Sequence, residues 1–150
     1  MRDRNAPLSA ADLGALAWDK MDGLLPAIVQ DAGTGQVLML GYMNADALGA
    51  TLSPGFATFY SRSKGRLWQK GETSGNRPAV RGVFADCDED ALLVKAVPEG
   101  PTCHLGTTSC FSQSGASGVG WLAELARIVA QRAEADAGES YTARLLREGP

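Results

Sequence analysis

Histidine and cysteine are scarce in this chain, which has one histidine and three cysteines among its 150 residues. An odd number of cysteines cannot pair completely, and disulfides rarely persist in a reducing compartment. The sequence therefore predicts thiols or metal ligands at Cys87, Cys103 and Cys110, with buried, inert thiols as the open alternative. His104 is the one imidazole that could transfer a proton or bind a metal.

The chain also lacks a long apolar run and a strong charge of either sign. No apolar segment approaches the roughly 18 residues that span a bilayer, and the N-terminus lacks the apolar stretch of a signal peptide. The 14 basic and 17 acidic residues give a net charge of −3, which favours neither a nucleic acid nor a membrane surface as a partner. We therefore expect a cytoplasmic protein that acts on a small molecule.

Short β-rich runs separated by glycine-containing turns make up most of the chain that remains. They predict hairpins over residues 25–43 and 57–70, and one long strand or two consecutive strands over residues 79–97. Asn44 stands where the N-cap of a short helix is expected. With 45% hydrophobic residues, the sequence predicts one compact α+β domain that is mainly β and rich in hairpins.

The composition changes after Phe111 to a stretch rich in serine and glycine. We predict a first domain over residues 1–113, a flexible linker over residues 114–120 and a helical tail over residues 121–150. Apolar residues recur at helical spacing from Trp121, and a second helix is predicted to begin near residue 140. We expect this tail to be the incomplete start of a second domain.

Three aspartates occupy every second position of VFADCDEDALLV, residues 83–94. If the stretch forms one strand, the aspartates project to one face and the cysteine between the first two projects to the other. Carboxylates so close together repel one another unless a cation lies among them, and oxygen ligands suit Mg²⁺ or Ca²⁺. Asp86, Asp88 and Asp90 are therefore candidate metal ligands, with a solvated acidic strand end as the alternative.

The segment CHLGTTSC places two cysteines seven residues apart, Cys103 and Cys110, in a loop that contains a glycine. A structural zinc site usually shows CxxC pairs and four closed ligands, whereas three thiolates match a site that keeps a position for water. Water bound to such a zinc ionises at about pH 7. His104 could be a proton-transfer group, a fourth ligand or a loop residue without a chemical role.

The segment YSRSKGRLWQKGETSGN, residues 60–76, combines four basic side chains with hydroxyl groups and glycines. Guanidinium and ammonium groups bind phosphate oxygens by charge-assisted hydrogen bonds, and hydroxyls add neutral donors. The segment therefore predicts a phosphate cradle, although a solvated hairpin with ordinary surface charges has the same composition.

Taken together and in order, LMLGYMN, FYSRSKGRLWQKGETSGN, DCDED and GPTCHLGTTSCF resemble the phosphoribosyl-AMP cyclohydrolases, which open the adenine ring of N1-phosphoribosyl-AMP in histidine biosynthesis. The resemblance covers about residues 12–112. The tail is similar to the opening of phosphoribosyl-ATP pyrophosphohydrolase, which is fused after the cyclohydrolase in some bacteria. The resemblance thus implies the bifunctional type, cut early in its second domain, and we expect no pyrophosphohydrolase activity from this chain.

The resemblance implies two metals and an intertwined homodimer. Zinc would be held by Cys87 of one subunit with Cys103 and Cys110 of the other, and magnesium by the three aspartates. The implied substrate-binding residues are Arg62, Ser63, Lys64, Trp68, Lys70, Glu72, Thr73, Ser74 and Asn76.

The implied reaction is hydrolytic. Hydroxide on zinc attacks C6 of the purine, the N1–C6 bond opens to give the ring-opened ProFAR intermediate, and His104 is the candidate for proton transfer. Magnesium and the basic segment would hold the ribose phosphates. A zinc amidohydrolase acting on another purine nucleotide and a zinc-stabilised assembly domain without catalysis are the competing hypotheses.

Overall fold

A computed structural model of the chain describes residues 3–53, 55–111, 118–134, 141 and 144–145. This part of the chain is mainly sheet with few helices, in agreement with the predicted class. Two short 3-10 helices, Ala10–Ala15 and Trp18–Met21, come first. The strands and α-helices that follow are β1 (Leu25–Asp31), β2 (Val37–Met43), α1 (Ala45–Leu52), β3 (Thr58–Ser61), β4 (Arg66–Gln69), β5 (Ala79–Ala85), β6 (Leu92–Val97) and α2 (Gly120–Glu134).

The larger sheet has the strand order β2-β1-β6-β5. β1 pairs antiparallel with β2, and β5 pairs antiparallel with β6, because each pair is joined by a short turn. At the first turn Asp31 Oδ1 accepts hydrogen bonds from the backbone amides of Gly33 at 2.8 Å and Thr34 at 3.2 Å. β1 and β6 are parallel neighbours at the centre, a pairing that the sequence pattern did not predict.

β3 and β4 form a separate two-stranded antiparallel sheet. Phe59 of β3 is fully buried between this hairpin and the larger sheet. A Cβ atom built on Gly41 of β2 would lie 2.4 Å from Phe59 Cδ1, so only glycine lets β2 cross the phenyl ring this closely. This contact fixes the β3–β4 hairpin against the main sheet.

α1 begins where the sequence predicts it. Asn44 Oδ1 accepts a hydrogen bond of 2.8 Å from the Ala47 amide, which caps the helix. The buried Thr51 hydroxyl donates to the Ala47 carbonyl at 2.9 Å and accepts from the Thr58 amide at 3.0 Å. The helix is thereby tied to the start of β3.

Residues 83–94 do not form one continuous strand, so the predicted alternation of aspartates and cysteine across a strand is wrong. β5 ends at Ala85 and β6 begins at Leu92, with a loop over residues 86–91. Asp86 Oδ1 accepts the backbone amides of Asp90 at 3.1 Å and Ala91 at 3.2 Å, which bends the chain locally. Glu89 adopts a left-handed conformation with φ of 63°, which a strand does not allow.

The C-terminal helix α2 begins within one residue of the predicted start at residue 121. Most of the predicted linker over residues 114–120 lies outside the described residues, as does most of the second predicted helix. The domain boundaries therefore stay predictions. Among the described residues no helix is long and apolar enough to cross a membrane.

Candidate metal and substrate site

The loop between β5 and β6, which we call the acidic loop (residues 86–91), brings three carboxylates together. One oxygen each from Asp86, Asp88 and Asp90 lies within 4.8 Å of the others. These aspartates are the one group of three or more potential metal ligands that the described part of the chain assembles. The predicted ligand set is therefore clustered, although a turn rather than a strand face clusters it.

A lysine from a distant segment lies against this loop. Lys20 Nζ is 2.8 Å from Asp88 Oδ2 and 3.1 Å from Asp90 Oδ2. Its hydrogen bonds to the two carboxylates raise the pKa of Lys20 to about 12, and the same contact lowers the pKa of Asp88. Sequence reasoning missed Lys20, because 68 residues separate it from Asp88 and no local pattern links them.

The second candidate element is the thiol loop, residues 102–110, which follows β6 and the turn after it. Its end is fixed to β2: the Cys110 amide donates to the Leu38 carbonyl at 2.8 Å, and the Ser109 hydroxyl donates to the Val37 carbonyl at 2.7 Å. Within the loop the Cys103 amide donates to the Thr107 carbonyl at 3.0 Å. These bonds fold the loop back so that its two cysteines become neighbours.

The two thiols of this loop differ in acidity. The pKa of Cys103 lies below its ordinary value, because its thiolate accepts a hydrogen bond from the Leu105 amide and a weaker one from the Thr107 side chain. Burial raises the pKa of Cys110, and the neighbouring Cys103 raises it further. The positive charge of Lys70 lowers the pKa of both thiols, which places this predicted substrate-binding residue near them.

The remaining predicted zinc ligand, Cys87, belongs to the acidic loop. Its Sγ lies 3.8 Å from Asp88 Oδ1 and is exposed. The described residues of one chain assemble no group of three ligands that contains it. His104 is exposed next to the cysteine pair, with its Nδ1 4.0 Å from Cys103 Sγ.

The turn after β4 joins the basic segment to the thiol loop. Asn76 Nδ2 donates to the Pro101 carbonyl at 3.2 Å, two residues before Cys103. Gly71 makes the turn possible, because its φ is 83° and a Cβ atom there would lie 2.3 Å from the Asn76 carbonyl oxygen. Two of the predicted substrate-binding residues, Lys70 and Asn76, are thereby held beside the cysteines.

Three further predicted residues, Lys64, Trp68 and Glu72, line a shallow pocket of about 250 Å³ on the β3–β4 hairpin. Arg66 Nη2 contacts Glu72 Oε1 at 3.2 Å across it. The hydrogen bond from the Gln69 backbone amide lowers the pKa of Glu72, and this contact with Arg66 lowers it further. The pocket is lined by Ser61, Lys64, Arg66, Trp68 and Glu72.

The other predicted substrate-binding residues are spread over the same hairpin and turn. The Arg62 guanidinium lies 3.9 Å above the centre of the Tyr42 ring, where cation–π attraction orients it. Ser63 shares an open concavity with Arg62. Thr73 and Ser74 are exposed in the turn, and Ser74 Oγ accepts the Asn76 amide at 3.3 Å.

Comparison with known sequences identifies the family. A sequence profile of phosphoribosyl-AMP cyclohydrolases matches residues 39–112, a range that contains both loops and the β3–β4 hairpin. The histidine biosynthesis bifunctional protein HisIE of Vibrio vulnificus (strain YJ016) is 51% identical over 148 residues, which cover 95% of this chain and 70% of that protein. This chain belongs to the phosphoribosyl-AMP cyclohydrolase family.

Other relatives have the same bifunctional name. The HisIE protein of Escherichia coli (strain K12) is 54% identical over 134 residues, 89% of this chain and 66% of its own length. That of Xanthomonas campestris pv. campestris is 53% identical over 137 residues, 91% of this chain and 65% of its own length. The chain thus spans about two thirds of its bifunctional relatives. The predicted class, a hydrolase of histidine biosynthesis, is confirmed.

Arg66 and Ser61, which belong to the predicted phosphate cradle over residues 60–76, also line the hairpin pocket. The Thr102 hydroxyl, directly before Cys103, is buried without a hydrogen-bond partner among the described residues. A larger cavity of about 470 Å³ lies between the β1–β2 turn and α2, but none of the predicted site residues lines it.

Proposed function

We propose that this chain hydrolyses the N1–C6 bond of the adenine ring in 1-(5-phosphoribosyl)-AMP and yields ring-opened ProFAR. The observation that carries the proposal is the pairing of Cys103 with Cys110 beside Lys70 in a chain of this family. The two neighbouring thiols are soft metal ligands, and the nearby ammonium group of Lys70 can bind a phosphate. The reduced thiols that this site needs agree with a cytoplasmic location.

The thiol loop suits zinc by the chemistry of its donors. Thiolate is the ligand form of cysteine, and the lowered pKa of Cys103 favours it. The unpartnered hydroxyl of Thr102 is a buried polar group that a bound water or substrate atom would satisfy. Zinc held by cysteines with one open position supplies a water that ionises at about pH 7, and so a nucleophile at neutral pH.

The third zinc ligand would come from a second subunit. Cys87 is exposed on the acidic loop, while Cys103 and Cys110 are already neighbours in the thiol loop. A homodimer in which the acidic loop of one subunit meets the thiol loop of the other would complete two equivalent sites by symmetry. This is the arrangement of ligands that the family resemblance implies.

An apolar row on the outer face of the main sheet supports dimerisation. The strand registers place Ile28 beside Leu40 on β2 and beside Leu93 on β6, and Leu93 beside Phe84 on β5. Leu40 on the edge strand β2 is 44% exposed, and Ile28 on the central strand β1 is 36% exposed. A contiguous apolar row of this kind is typical of a surface that a partner covers.

The acidic loop would hold magnesium. Three carboxylate oxygens within 4.8 Å form a hard ligand set, and Mg²⁺ prefers such oxygens. Asp86 is held in place by two backbone amides, so the set is partly preorganised before a cation binds. Magnesium there would neutralise phosphate charge near Cys87 and thus near the zinc ligands.

The remaining residues would bind substrate and move protons. Arg62, Lys64 and Lys70 would bind the phosphate groups, and the pocket beside Trp68 would receive an adjacent part of the nucleotide. His104 is exposed 4.0 Å from Cys103 Sγ, within reach of a molecule bound at the thiol loop. It would transfer the proton between the attacking water and the purine nitrogen.

The experiment that tests this function follows ring opening of N1-phosphoribosyl-AMP by ultraviolet absorbance. The purified chain is assayed as isolated, after zinc chelation and after zinc is restored, with magnesium present throughout. We expect turnover that is lost on chelation and recovered with zinc. A Cys103→Ser protein that keeps zinc and the full rate would contradict the ligand assignment, and no turnover with both metals present would contradict the function.

A further inference from the structure

Lys20 contacts two of the three aspartates that would hold a metal ion at the acidic loop. An ammonium group has three donor hydrogens, and Lys20 Nζ has three acceptors in reach. They are Asp88 Oδ2 at 2.8 Å, Asp90 Oδ2 at 3.1 Å and the Asp88 carbonyl oxygen at 3.2 Å. The lysine thus supplies the cation that three clustered carboxylates require.

The segment that carries Lys20 is built to hold it there. The Ala17 amide donates to the Glu89 carbonyl of the acidic loop at 2.8 Å, so the backbone of this segment is docked independently of the lysine. Trp18 Nε1 donates to the Leu13 carbonyl at 2.8 Å, and the Gly23 amide donates to the Trp18 carbonyl at 2.8 Å. Lys20 therefore reaches the carboxylates from an ordered 3-10 helix, which distinguishes it from a mobile surface lysine.

The ammonium and a divalent cation cannot use these oxygens together. Mg²⁺ binds carboxylate oxygens at about 2.0–2.1 Å, so an ion bound to the Asp88 and Asp90 oxygens that Lys20 contacts would lie about 5 Å or less from Nζ. Two positive charges at that distance repel. The lysine can leave, because the side chains of Lys20 and Asp88 are 42% and 58% exposed and ion pairs of this exposure are weak.

We infer that Lys20 is a tethered counterion of the acidic loop, which a divalent cation must displace in order to bind. The inference rests on the proposed magnesium site and adds a residue that sets its affinity. Lys20 offsets part of the negative charge of the loop when no metal is present, and it weakens metal binding by competing for the same carboxylates. Displacement also frees an ammonium group beside the site, where the substrate phosphates are proposed to lie.

Manganese binding tests the inference without any measurement of activity. Free Mn²⁺ is counted by electron paramagnetic resonance during titration of the full chain, and the wild type is compared with Lys20→Met and Lys20→Arg. We expect Lys20→Met to lower the Kd for Mn²⁺ roughly tenfold or more, since a neutral side chain no longer competes. Lys20→Arg, which keeps the charge, should bind no more tightly than the wild type.

Two further variants separate the possible failures. Asp86→Asn keeps the oxygen that accepts the loop amides but removes a ligand charge, so it should abolish binding. Arg81→Met removes an exposed positive charge from β5 and controls for long-range electrostatics, so it should leave the Kd unchanged. If Asp86→Asn has no effect, the proposed metal site is wrong; if it abolishes binding and Lys20→Met does not tighten it, the counterion role alone is overturned.

The wild-type protein offers a second readout that needs no variant. Reductive methylation of lysine amines is followed by mass spectrometry with and without Mg²⁺, and Lys95 serves as the internal reference. We expect Mg²⁺ to accelerate modification of Lys20 several-fold relative to Lys95, because displacement frees the amine from its three acceptors. An unchanged or slower rate at Lys20 would overturn the inference.

Discussion

The acidic loop and the thiol loop both contain candidate metal ligands, but they bring those ligands together differently. In the acidic loop all three candidate ligands come from five consecutive residues, and one chain brings them within 4.8 Å. In the thiol loop one chain brings together only Cys103 and Cys110, while Cys87 lies on the other loop. The proposed magnesium ligands therefore lie together in one chain, whereas the proposed zinc ligands do not.

The two loops are held in place by different kinds of contact. Asp86 closes its own turn by accepting two amides, so clustering of the aspartates costs little beyond local order. The thiol loop is placed instead by its bonds to Val37 and Leu38 of β2. If the zinc ligands come from two subunits as proposed, zinc binding is linked to subunit association, whereas magnesium binding at the acidic loop is not.

Loss of a zinc ligand should have the largest effect, and subunit mixing shows whether the thiol site is divided. Cys87→Ser and Cys103→Ser should each lose nearly all turnover, because each removes a ligand from both sites of a dimer. When the two variants are mixed and allowed to exchange, one site in each heterodimer regains all three cysteines. We expect recovery of about a quarter of the wild-type rate by random pairing.

The mixing experiment can also contradict a zinc site that is divided between subunits. No recovery, with exchange shown by mass spectrometry, would mean that each zinc site lies within one subunit. Leu105→Ala, a change at an exposed residue of the same loop, should keep full turnover and exclude a general effect on the loop.

Replacement of His104 should have the next largest effect on turnover. It tests whether this residue of the thiol loop transfers the proton. For His104→Ala we expect kcat to fall by about 10² to 10⁴, the usual contribution of a general acid or base. Zinc content, measured by mass spectrometry of the metal, should not change. A protein that loses zinc in parallel with turnover would make His104 a ligand instead.

Removal of each metal should affect the dimer differently. Zinc chelation should raise the Kd of the dimer roughly tenfold or more, because shared ligands link metal binding to association. Omission of magnesium should leave the dimer unchanged, since the acidic loop supplies its ligands from one chain. Analytical ultracentrifugation over a dilution series measures both, and equal effects of the two metals would refute the contrast.

The smallest effect concerns the local fold of the acidic loop. Without divalent cations, Asp86→Ala should lower the free energy of unfolding by about 1 kcal/mol, because the amides of Asp90 and Ala91 lose their acceptor. Asp86→Asn keeps that acceptor and should retain most of the stability. Urea unfolding measures the difference, and equal losses in the two variants would show that the carboxylate charge, rather than the turn, holds the loop.

Much of the fold follows from patterns within about ten residues. The Asn44 cap, the Asp31 turn and the β3–β4 hairpin were predicted because each depends on neighbouring residues. Over residues 79–97 the predicted alternative of two consecutive strands is confirmed, whereas the interpretation of the alternating pattern over residues 83–94 as one strand is wrong. The side chain of Asp86 and the left-handed Glu89 overrode that pattern and formed a turn.

The family, the candidate ligand residues and the local elements follow from the sequence alone, because these depend on residue chemistry and short-range hydrogen bonds. The tertiary structure decided the parallel pairing of β1 with β6, the approach of Asn76 to the thiol loop and the placement of Lys20 on the aspartates. Each of these joins residues 25 or more positions apart in the chain, as for Asn76 and Pro101. Such contacts leave no local signal, since packing of the whole core selects which distant segments meet.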